Sequence, residues 1–429
     1  MSQQQTQANP ISDEQSIAVG LDLGTSKVCV IVASQSLTTK AINILGIGVA
    51  ESYGMKRGVI SNIDKTIQAI QKAVEQAEQQ SGIKIKEVVV GIAGDHIESY
   101  QTRGIVGISN PNEEITKEDV ERVLDECRNS NLPLERKILH IIPQEFIIDK
   151  QDGIYDPVGM SGVRMEAITH IVTGSSSAVR NIYKCIERLG ITVKDVILEP
   201  IASSYSVLFE DEKELGVALI DIGGGTTDIT IFEENIIRFT KVIALGGMLV
   251  TSDIRSVVAI PDVQAERIKI EYGHCYAPNL IDDEESFMIP GISGRKPKEL
   301  KTKELCQIIQ PRMEEIFQFA LSEIRNSGYS GRLGAGVVLT GGCSLLRGAE
   351  DLAEEVFGMP IKMGIPSINS YSGLAREVNN PCFSTAVGLA LHALKLEEFN
   401  EVVENEEKTT KKVKKDSIFN KFKNYIKDL

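Results

Sequence analysis

An α/β fold built from two similar halves is predicted by glycine-containing turns that follow apolar strands. One turn opens with Asp22, after the apolar run 17–21, and a second occupies 221–228 (Asp-Ile-Gly-Gly-Gly-Thr-Thr-Asp), after the run 217–220. Each turn leads into another apolar run, so each unit is a predicted strand, turn and strand. Because the same pattern occurs in both halves of the chain, we expect an internal duplication.

The two turns have the chemistry of a phosphate site. Successive glycines let the backbone approach a ligand closely, and consecutive N–H groups can surround an anion. The predicted phosphate contacts are Gly24, Thr25, Ser26, Lys27, Gly223, Gly224, Gly225, Thr226 and Thr227. Asp22 and Asp221 suit a hydrated Mg²⁺, which keeps several waters and needs few carboxylates. An ordinary glycine-rich hairpin would explain either turn alone, but the matched pair favours phosphate bound between the halves.

Two other elements suit the remainder of a nucleotide. A third predicted strand, 337–339, runs into Gly341, Gly342 and Ser344, where bare backbone can lie flat against a base or ribose. Glu266 and Lys269 are three residues apart on a predicted helix and therefore share a face. They are suited to hydrogen-bond ribose hydroxyls or the base, although a surface ion pair is the commoner explanation of this spacing.

Composition predicts a globular, cytoplasmic chain. Its 429 residues are 42% hydrophobic and 25% charged, which is typical of about two to four soluble domains. The net charge of −14 argues against a nucleic-acid-binding protein. Seven cysteines occur singly, so we expect neither a metal centre nor disulfides. Residues 1–15 are polar, are expected to be disordered and lack the features of a signal peptide. No apolar run reaches the roughly 18–20 residues of a membrane-spanning helix.

The secondary-structure pattern alternates strands and helices along the chain. Predicted strands cover 17–23, 28–34, 43–49, 88–92, 137–142, 146–148, 168–173, 196–198, 217–220, 229–232 and 337–339. Predicted helices cover 62–80, 117–127, 177–189, 308–326, 348–357 and 385–396. The first helix has an apolar stripe, and the second is opened by Thr116 with Asp119 in the capping-box position. Residues 279–298 are polar and resemble a loop.

This ordered set of motifs resembles the actin-like ATPase superfamily, which includes actin, DnaK-type chaperones and sugar kinases. The match lies in two phosphate loops, an adenosine loop and two connecting segments, at 22–27, 221–228, 340–344, 198–205 and 384–390. The resemblance implies a duplicated actin-like (ribonuclease H-like) fold with two inserted subdomains. It also implies ATP and Mg²⁺ in the cleft between the halves.

Within that superfamily the chain is similar to the FtsA family of bacterial cell-division proteins. The segments that carry this similarity are 54–59, 140–146, 156–164, 241–243 and 250–254. The resemblance spans roughly 16–395 and the last dozen residues. It implies subdomain 1A at 16–83, 165–200 and 360–396, 1C at 84–164, 2A at 201–239 and 306–359, and 2B at 240–305.

The C-terminal segment has a different composition from the rest of the chain. Residues 397–416 are acid-rich and then basic without apolar periodicity, so a flexible linker is predicted. Residues 417–429 place one apolar stripe on a helix: Ile418, Phe419, Phe422, Tyr425, Ile426 and Leu429. Lys421, Lys423 and Lys427 face away, and other lysines precede the segment. This pattern predicts a membrane-targeting amphipathic helix that lies in the interface of an anionic bilayer, the alternative being a helix docked on the protein's own core.

A hydrolytic role needs a group that orients the attacking water. By resemblance, Glu199 occupies the position of a catalytic glutamate in bacterial actins and DnaK-type chaperones. Gln144 is a second candidate, and either side chain also suits a structural hydrogen bond. Whether the chain is an enzyme stays open, because the resemblance implies slow ATPase activity at most and mainly a scaffolding role.

Several functions are compatible with the superfamily. A kinase of this fold would have an additional aspartate-containing glycine turn near the cleft, and no such turn is evident in the sequence. A chaperone would need a substrate domain after residue 396, and too few residues follow for one. An ATPase of type IV pilus assembly remains the alternative. We expect instead that the protein polymerises and anchors filaments of FtsZ to the cytoplasmic face of the plasma membrane at the division septum. The resemblance implies that 2B holds the FtsZ C-terminal tail and that 1C recruits later divisome membrane proteins. Arg295 and Lys296 are candidates for a partner contact, with a solvated loop as the other interpretation.

Overall fold

The structure is a computed structural model that describes residues 15–108, 114–129, 132–280, 285–291, 296–366 and 371–409, with side chains described up to 398. The described strands are β1 (Gln15–Leu23), β2 (Lys27–Ser36), β3 (Ile42–Glu51), β4 (Met55–Lys56), β5 (Val59–Ile60), β6 (Glu87–Ile92), β7 (Glu98–Gly107), β8 (Arg136–Ile148), β9 (Gln151–Ile154), β10 (Arg164–Ser175), β11 (Thr192–Leu198), β12 (Val217–Ile222), β13 (Thr227–Glu233), β14 (Ile236–Ile243), β15 (Ser286–Ile289), β16 (Lys298–Lys301), β17 (Val337–Thr340), β18 (Ile361–Met363) and β19 (Tyr371–Gly373). The described α-helices are α1 (Ile63–Ser81), α2 (Lys117–Arg128), α3 (Ser176–Glu187), α4 (Glu199–Val207), α5 (Glu210–Leu215), α6 (Gly247–Val258), α7 (Asp262–Tyr272), α8 (Thr302–Asn326), α9 (Ala349–Phe357) and α10 (Ser384–Thr409).

Two sheets that share an arrangement of five strands form the body of the protein, and the first sheet has one more strand, β19, beside β3. The first has the order β11-β6-β1-β2-β3-β19 and the second β14-β13-β12-β17-β18. In each sheet an antiparallel hairpin (β1–β2 or β12–β13) carries a third antiparallel strand on one side. Two parallel strands follow on the other side. The shared arrangement confirms the predicted duplication, and we call the two units the first and second halves.

Each half is organised around its own buried hairpin. Every residue of β12 is buried, and β1 is buried from Ala18 onward, because helices cover both faces of each sheet. α1, α3 and α10 pack on the first sheet, whereas α6, α8 and α9 belong to the core of the second. The near-continuous apolar runs that predicted these strands are therefore explained by burial on both faces.

α1 illustrates how local signals set an element's ends. The Asn62 side chain accepts a hydrogen bond from the N–H of Lys65 at the start, and Gly82 ends the helix with φ of 71°. Of the predicted stripe, Ile70 and Val74 are buried, while Ile63 and Ile67 pack partly buried against the same core. The predicted helix at 62–80 is confirmed to within one residue at each end.

An inserted unit interrupts the first half. Its sheet has the order β7-β10-β8-β9, and α2 packs against it. The predicted capping box is present, since Thr116 and Asp119 bond reciprocally at the start of α2. The two predicted strands at 137–142 and 146–148 are one strand, β8, which continues through a register shift next to Pro143.

The predicted insert boundaries differ from the strand pairing. β6 belongs to the first-half sheet through β1, and β10 belongs to the insert's sheet through β7 and β8. The insert's strands therefore span 98–175, whereas subdomain 1C was expected at 84–164. We propose that the unit begins after β6 and ends with β10; the rest of the subdomain division stays a prediction.

Two loop predictions also need correction. α10 continues to Thr409, so residues 397–409 of the predicted flexible linker are helical. Glu397 pairs with Lys194 and Glu398 with Lys40, and strong helix formers such as glutamate are frequent there. The loop-like stretch 279–298 contains β15, which pairs with β16. Of the predicted disordered segment 1–15, Gln15 begins β1. Residues 1–14, Arg295, the linker residues 410–416 and the predicted amphipathic helix at 417–429 lie outside the described residues.

Within the described part of the chain, the helices are all too short or too polar to cross a membrane.

The two halves are joined where α10 crosses α4 at very close range. A Cβ on Gly388 would lie 1.8 Å from the carbonyl oxygen of Ala202. A Cβ on Gly20 would lie 2.5 Å from the backbone nitrogen of Ala390. Only glycine permits these approaches, which fix α4 and the end of β1 relative to one another.

Replacing Gly388 with alanine should destabilise the protein by about 1–3 kcal/mol or more, because the new methyl group meets backbone that cannot move aside. The roughly 1 kcal/mol gained from alanine's helix propensity is too small to compensate. Denaturant unfolding measures the difference. The control is Gly331→Ala, since a Cβ there has no heavy atom within 4 Å. Equal stability of the two variants would contradict the close-packing argument.

Candidate nucleotide-binding cleft

The glycine turns of the two halves meet each other. A Cβ on Gly224 would lie 3.0 Å from the Ser26 Oγ atom, and one on Gly225 would lie 2.5 Å from the Thr25 Oγ1 atom. Each turn follows the first strand of its half's hairpin, so the duplicated topology brings the two turns to one cleft. The absence of side chains on the second turn is what allows this contact.

A cavity of about 120 Å³ lies between the turns. The sequence-predicted residues that line it are Asp22, Gly24, Thr25, Ser26, Lys27, Glu199, Asp221, Gly223, Gly224, Gly225, Thr226, Gly341 and Gly342. Residues of both halves and of the third glycine turn thus converge on one site. The volume is below the roughly 300–1,000 Å³ of typical small-molecule pockets, so a whole nucleotide needs a wider cleft than this one.

Three predicted or candidate residues serve structural hydrogen bonds and are not among the described lining residues. The Thr227 hydroxyl donates to the Leu245 carbonyl oxygen at 2.9 Å. The Ser344 hydroxyl donates to the Gly341 carbonyl oxygen at 2.7 Å and so closes the third turn. The Gln144 amide donates to the Ile237 carbonyl oxygen at 2.7 Å, between the insert and the second half.

Glu266 and Lys269 form the predicted pair on α7. The Lys269 Nζ atom donates to Glu266 Oε2 at 2.8 Å and to the Gly247 carbonyl oxygen at 3.1 Å. Neither residue is among the described residues that line the cavity. A Cβ on Gly247 would contact both Lys269 Nζ and the Cys343 Sγ atom, which places the pair beside the third turn. Its role toward a ribose or base stays a prediction.

Glu199 reaches the cleft from the first residue of α4. The chain leaves β11 at Leu198, and Pro200 supports the first turn of the helix. Gly91 on the neighbouring strand β6 leaves room for the carboxylate, because a Cβ there would lie 2.9 Å from the Glu199 Cγ atom. The side chain is therefore held beside Asp22 at the end of β1.

The aspartates of the second hairpin are held by hydroxyl groups. Asp221 Oδ2 accepts hydrogen bonds from Ser203 at 2.7 Å and from Thr385 at 3.2 Å. Asp228 pairs with Asp221 across the hairpin, and its Oδ2 atom accepts a bond from Thr226 at 3.2 Å. The Asp228 Oδ1 atom is buried and has no hydrogen-bond partner in the described structure.

Burial disfavours the charged form of these carboxylates and so raises their pKa values. It raises the pKa of Asp22 to about 7, with Lys27 lowering the pKa and Asp221 raising it further. Burial, followed by repulsion from Asp22, raises the pKa of Glu199 well above its ordinary value. The pKa of Asp228 is likewise raised, mainly by burial and by Asp221. The site is short of positive charge and would be stabilised by a cation.

Lys27 supplies only part of that charge. Of the described residues that line the cavity, it is the only one with a basic side chain. Its Nζ atom donates to the Cys382 carbonyl oxygen and lies 4.3 Å from the centre of the Phe383 ring. The lysine charge is thus partly engaged at the wall of the cleft.

The donor set fits a hydrated magnesium ion. The unpartnered Asp228 oxygen and the raised carboxylate pKa values indicate uncompensated acceptors. Among the described residues, no three His, Cys, Asp or Glu side chains are grouped as a direct metal chelate. Mg²⁺ usually keeps several waters and takes one or two carboxylates, so the arrangement agrees with binding through water.

The two halves and the cleft between them define an actin-like fold. A chain of the PilM-PilN type IV pilus biogenesis complex superposes with a TM-score of 0.63 at 17% identity, covering 88% of this chain and 98% of that one. MreB5 of Spiroplasma citri bound to ADP superposes with a TM-score of 0.53 at 15% identity, covering 92% and 99%. At these identities the likeness shows the fold alone.

Sequence relatives define the family. The profile described as "Cell division protein FtsA" matches residues 218–388, and "SHS2 domain inserted in FTSA" matches 94–173. Cell division protein FtsA of Pseudomonas aeruginosa is 46% identical over 88% of this chain and 89% of its own length. The Escherichia coli K12 protein of that name is 39% identical over 93% and 95%, respectively. The chain belongs to the FtsA family of cell division proteins.

Several lining residues were not predicted as site residues: Leu23, Gly58, Asp228, Pro381, Cys382 and Thr385. Asp228 is the last residue of the second turn and was not predicted to be a site residue. Successive side chains of a strand face opposite sides, so Asp228 faces the cleft and Thr227 faces away from it. Gly58 and Thr385 lie in segments that support the family resemblance, but nothing in the sequence of those segments predicts a ligand contact. Their positions depend on tertiary packing.

The Asp22→Asn variant should be more stable than the wild type at pH 8 in the absence of ligand. A folded-state pKa of about 7, against an ordinary 3.8, means that stability present at low pH is lost as pH rises through 7. The loss is at most about 4 kcal/mol, and the neutral amide avoids it. Thermal unfolding between pH 4 and 8 measures the effect, with the gap closing toward pH 4. The exposed Asp152→Asn serves as control, and a pH-independent gap would contradict the electrostatic cause.

Proposed function

We propose that the cleft binds ATP together with magnesium. The observation that carries this proposal is the meeting of two glycine turns from opposite halves beside three buried aspartates and the partly buried Glu199. Gly24, Thr25 and Ser26 would hold the phosphates from the first half, and Gly223–Thr226 from the second. The third turn would receive adenosine, and Glu266 and Lys269 lie beside it. Magnesium, when bound, neutralises phosphate charge, and Asp22 and Asp221 would hold it through water.

Glu199 is the proposed water-orienting residue. It lies in the cleft beside Asp22, whereas the amide of Gln144 is engaged by the Ile237 carbonyl. Burial raises the pKa of Glu199, and a carboxylate with a raised pKa is a stronger base toward water. Because the two glycine turns come from opposite halves, a bound nucleotide would hold the halves together. The separation of the halves would then depend on the state of the nucleotide.

The proposed cellular role is to anchor FtsZ filaments to the cytoplasmic face of the plasma membrane at the septum. Membership of the FtsA family supports a role in cell division. The apolar stripe of 417–429 and the lysines before it support attachment to an anionic bilayer. We propose that the protein polymerises there and recruits later divisome proteins through the insert. The pilus-assembly alternative has only a likeness of fold at 17% identity in its favour.

The second half carries a suitable surface for the FtsZ tail. α6 and α7 expose Val257, Val263 and Ile270, at 65%, 82% and 71% of their surfaces. α6 and α7 pack against each other, and exposed apolar side chains on such a pair of helices favour a protein partner. They lie within residues 240–305, the segment to which the family resemblance assigns FtsZ binding.

Removing residues 417–429 should release the protein from vesicles that contain anionic lipid, and with it any bound FtsZ. Co-sedimentation with purified FtsZ measures both, with and without ATP and magnesium. Phe422→Glu should act like the deletion because it places a charge on the apolar stripe, whereas Asn424→Glu on the polar face is the matched control. Pelleting of the truncated protein would contradict the anchor. Equal recruitment of FtsZ with and without ATP would show that membrane anchoring does not depend on the cleft.

Val263→Glu should weaken FtsZ binding about tenfold, the loss expected for one central interface side chain. It should leave vesicle binding unchanged, since the membrane segment is elsewhere in the chain. The matched control is Val163→Glu, which introduces the same change at an exposed position of the insert that is 54% accessible. Equal losses in the two variants would argue against the α7 surface.

A further inference from the structure

A tight hairpin carries an arginine to the edge of the cleft. β4 and β5 pair Met55 with Ile60 and Lys56 with Val59, so Arg57 and Gly58 form a two-residue turn. Their φ angles are 50° and 74°, which is the pattern of a type I′ turn. The turn belongs to a segment that signalled the family but was given no role in the predicted site.

The turn contacts the phosphate loops of both halves. The Gly58 N–H donates to Thr25 Oγ1 at 3.1 Å, and Gly58 itself lines the cavity. The Arg57 Cα atom lies 3.0 Å from the position that a Cβ on Gly225 would take. Arg57 is therefore located where the first and second turns meet.

Arginine is an unfavourable choice at this backbone position. Type I′ turns prefer asparagine or glycine there, and a non-glycine residue with positive φ persists only where its surroundings hold it. The surroundings do hold it, because Gly54 accepts backbone bonds from Ser61 and Asn62 at the base of the hairpin. Gly94 packs against the turn itself. A strained residue at a functional cleft suggests that its side chain is used.

The Arg57 side chain is available for a ligand. It is exposed, and neither an ion pair nor a hydrogen bond to any residue in the described part of the chain engages its guanidinium group. Lys27, by contrast, is partly occupied by the Cys382 carbonyl oxygen and the Phe383 ring. A guanidinium group binds phosphate oxygens with two parallel hydrogen bonds, which an ammonium group cannot do.

We propose that Arg57 binds the terminal phosphate of a nucleoside triphosphate and so distinguishes triphosphate from diphosphate. This inference rests on the proposed nucleotide binding. The third turn is assigned to adenosine and the first two to phosphates, so a side chain at the junction of the first two lies toward the phosphate end. The terminal phosphate carries the charge that a diphosphate lacks at that position.

The test measures Kd values for ATP and ADP, each with magnesium, by calorimetry on the full chain. Arg57→Asn should lower ATP affinity about 10- to 100-fold, the range for losing hydrogen bonds to a charged group, and ADP affinity much less. Its melting temperature should equal or exceed that of the wild type, because Asn-Gly suits the turn. Arg57→Lys should recover part of the preference for ATP. Lys56→Gln removes the neighbouring exposed charge and should change both affinities slightly and equally.

Each outcome decides between the two proposals. A selective loss of ATP affinity in Arg57→Asn, with normal stability, supports the assignment. Equal losses for ATP and ADP, or none, overturn it while leaving nucleotide binding by the cleft intact. A wild-type chain that binds neither nucleotide overturns the proposed function and this inference with it.

Discussion

Four carboxylates that line one cleft, three of them buried and Glu199 partly buried, are the physical constraint on which the site depends. Asp221 and Asp228 are paired across the second hairpin, Asp22 lies at the end of β1 in the first half, and Glu199 begins α4, so the fold brings all four to one cleft. Burial raises the pKa of all four, and repulsion between carboxylates adds to the rise for Asp22, Glu199 and Asp228. The folded protein therefore stores unfavourable electrostatic energy that protons or cations can relieve. A ligand that carries a cation binds more tightly because it relieves this repulsion. The protein without such a ligand is correspondingly less stable.

The scaffold holds this arrangement through close backbone contacts. α10 and α4 approach until Gly388 meets the Ala202 carbonyl, and α10 also supplies Thr385 to Asp221. Ser203, on the same α4 that carries Glu199, donates to the same aspartate. One pair of helices thus positions an acid of the first half and an aspartate of the second. Small residues at the crossing are required because any larger side chain would separate those groups.

The sequence predicted the repeated features of the fold and missed those that depend on distant pairing. Two hairpins with aspartate and glycine turns were visible because their pattern is local. Thr227 was assigned with Thr226 because both are hydroxyl residues, but successive strand residues face opposite sides and only Thr226 reaches the cleft. The sequence could not show which sheet β6 and β10 join, because both are apolar runs whose sheets are decided by their pairing partners. The extension of α10 to Thr409 has no apolar periodicity to reveal it, although glutamate, which is frequent there, has a high helix propensity.

The insert is bound to both halves, and this limits how the cleft can change. Its β8 donates from Gln144 to Ile237 of the second half, and Ser99 of β7 donates to the Thr240 carbonyl oxygen at 2.8 Å. In the first half, His140 Nε2 accepts the N–H of Leu198, the residue before Glu199, at 3.0 Å. Burial lowers the pKa of His140 to about 4, so the ring stays neutral and can accept this bond at neutral pH. Any rotation of one half against the other must therefore stretch or break bonds at the base of the insert. Because one of those bonds adjoins Glu199, the surface of the insert and the chemistry of the cleft share a mechanical connection.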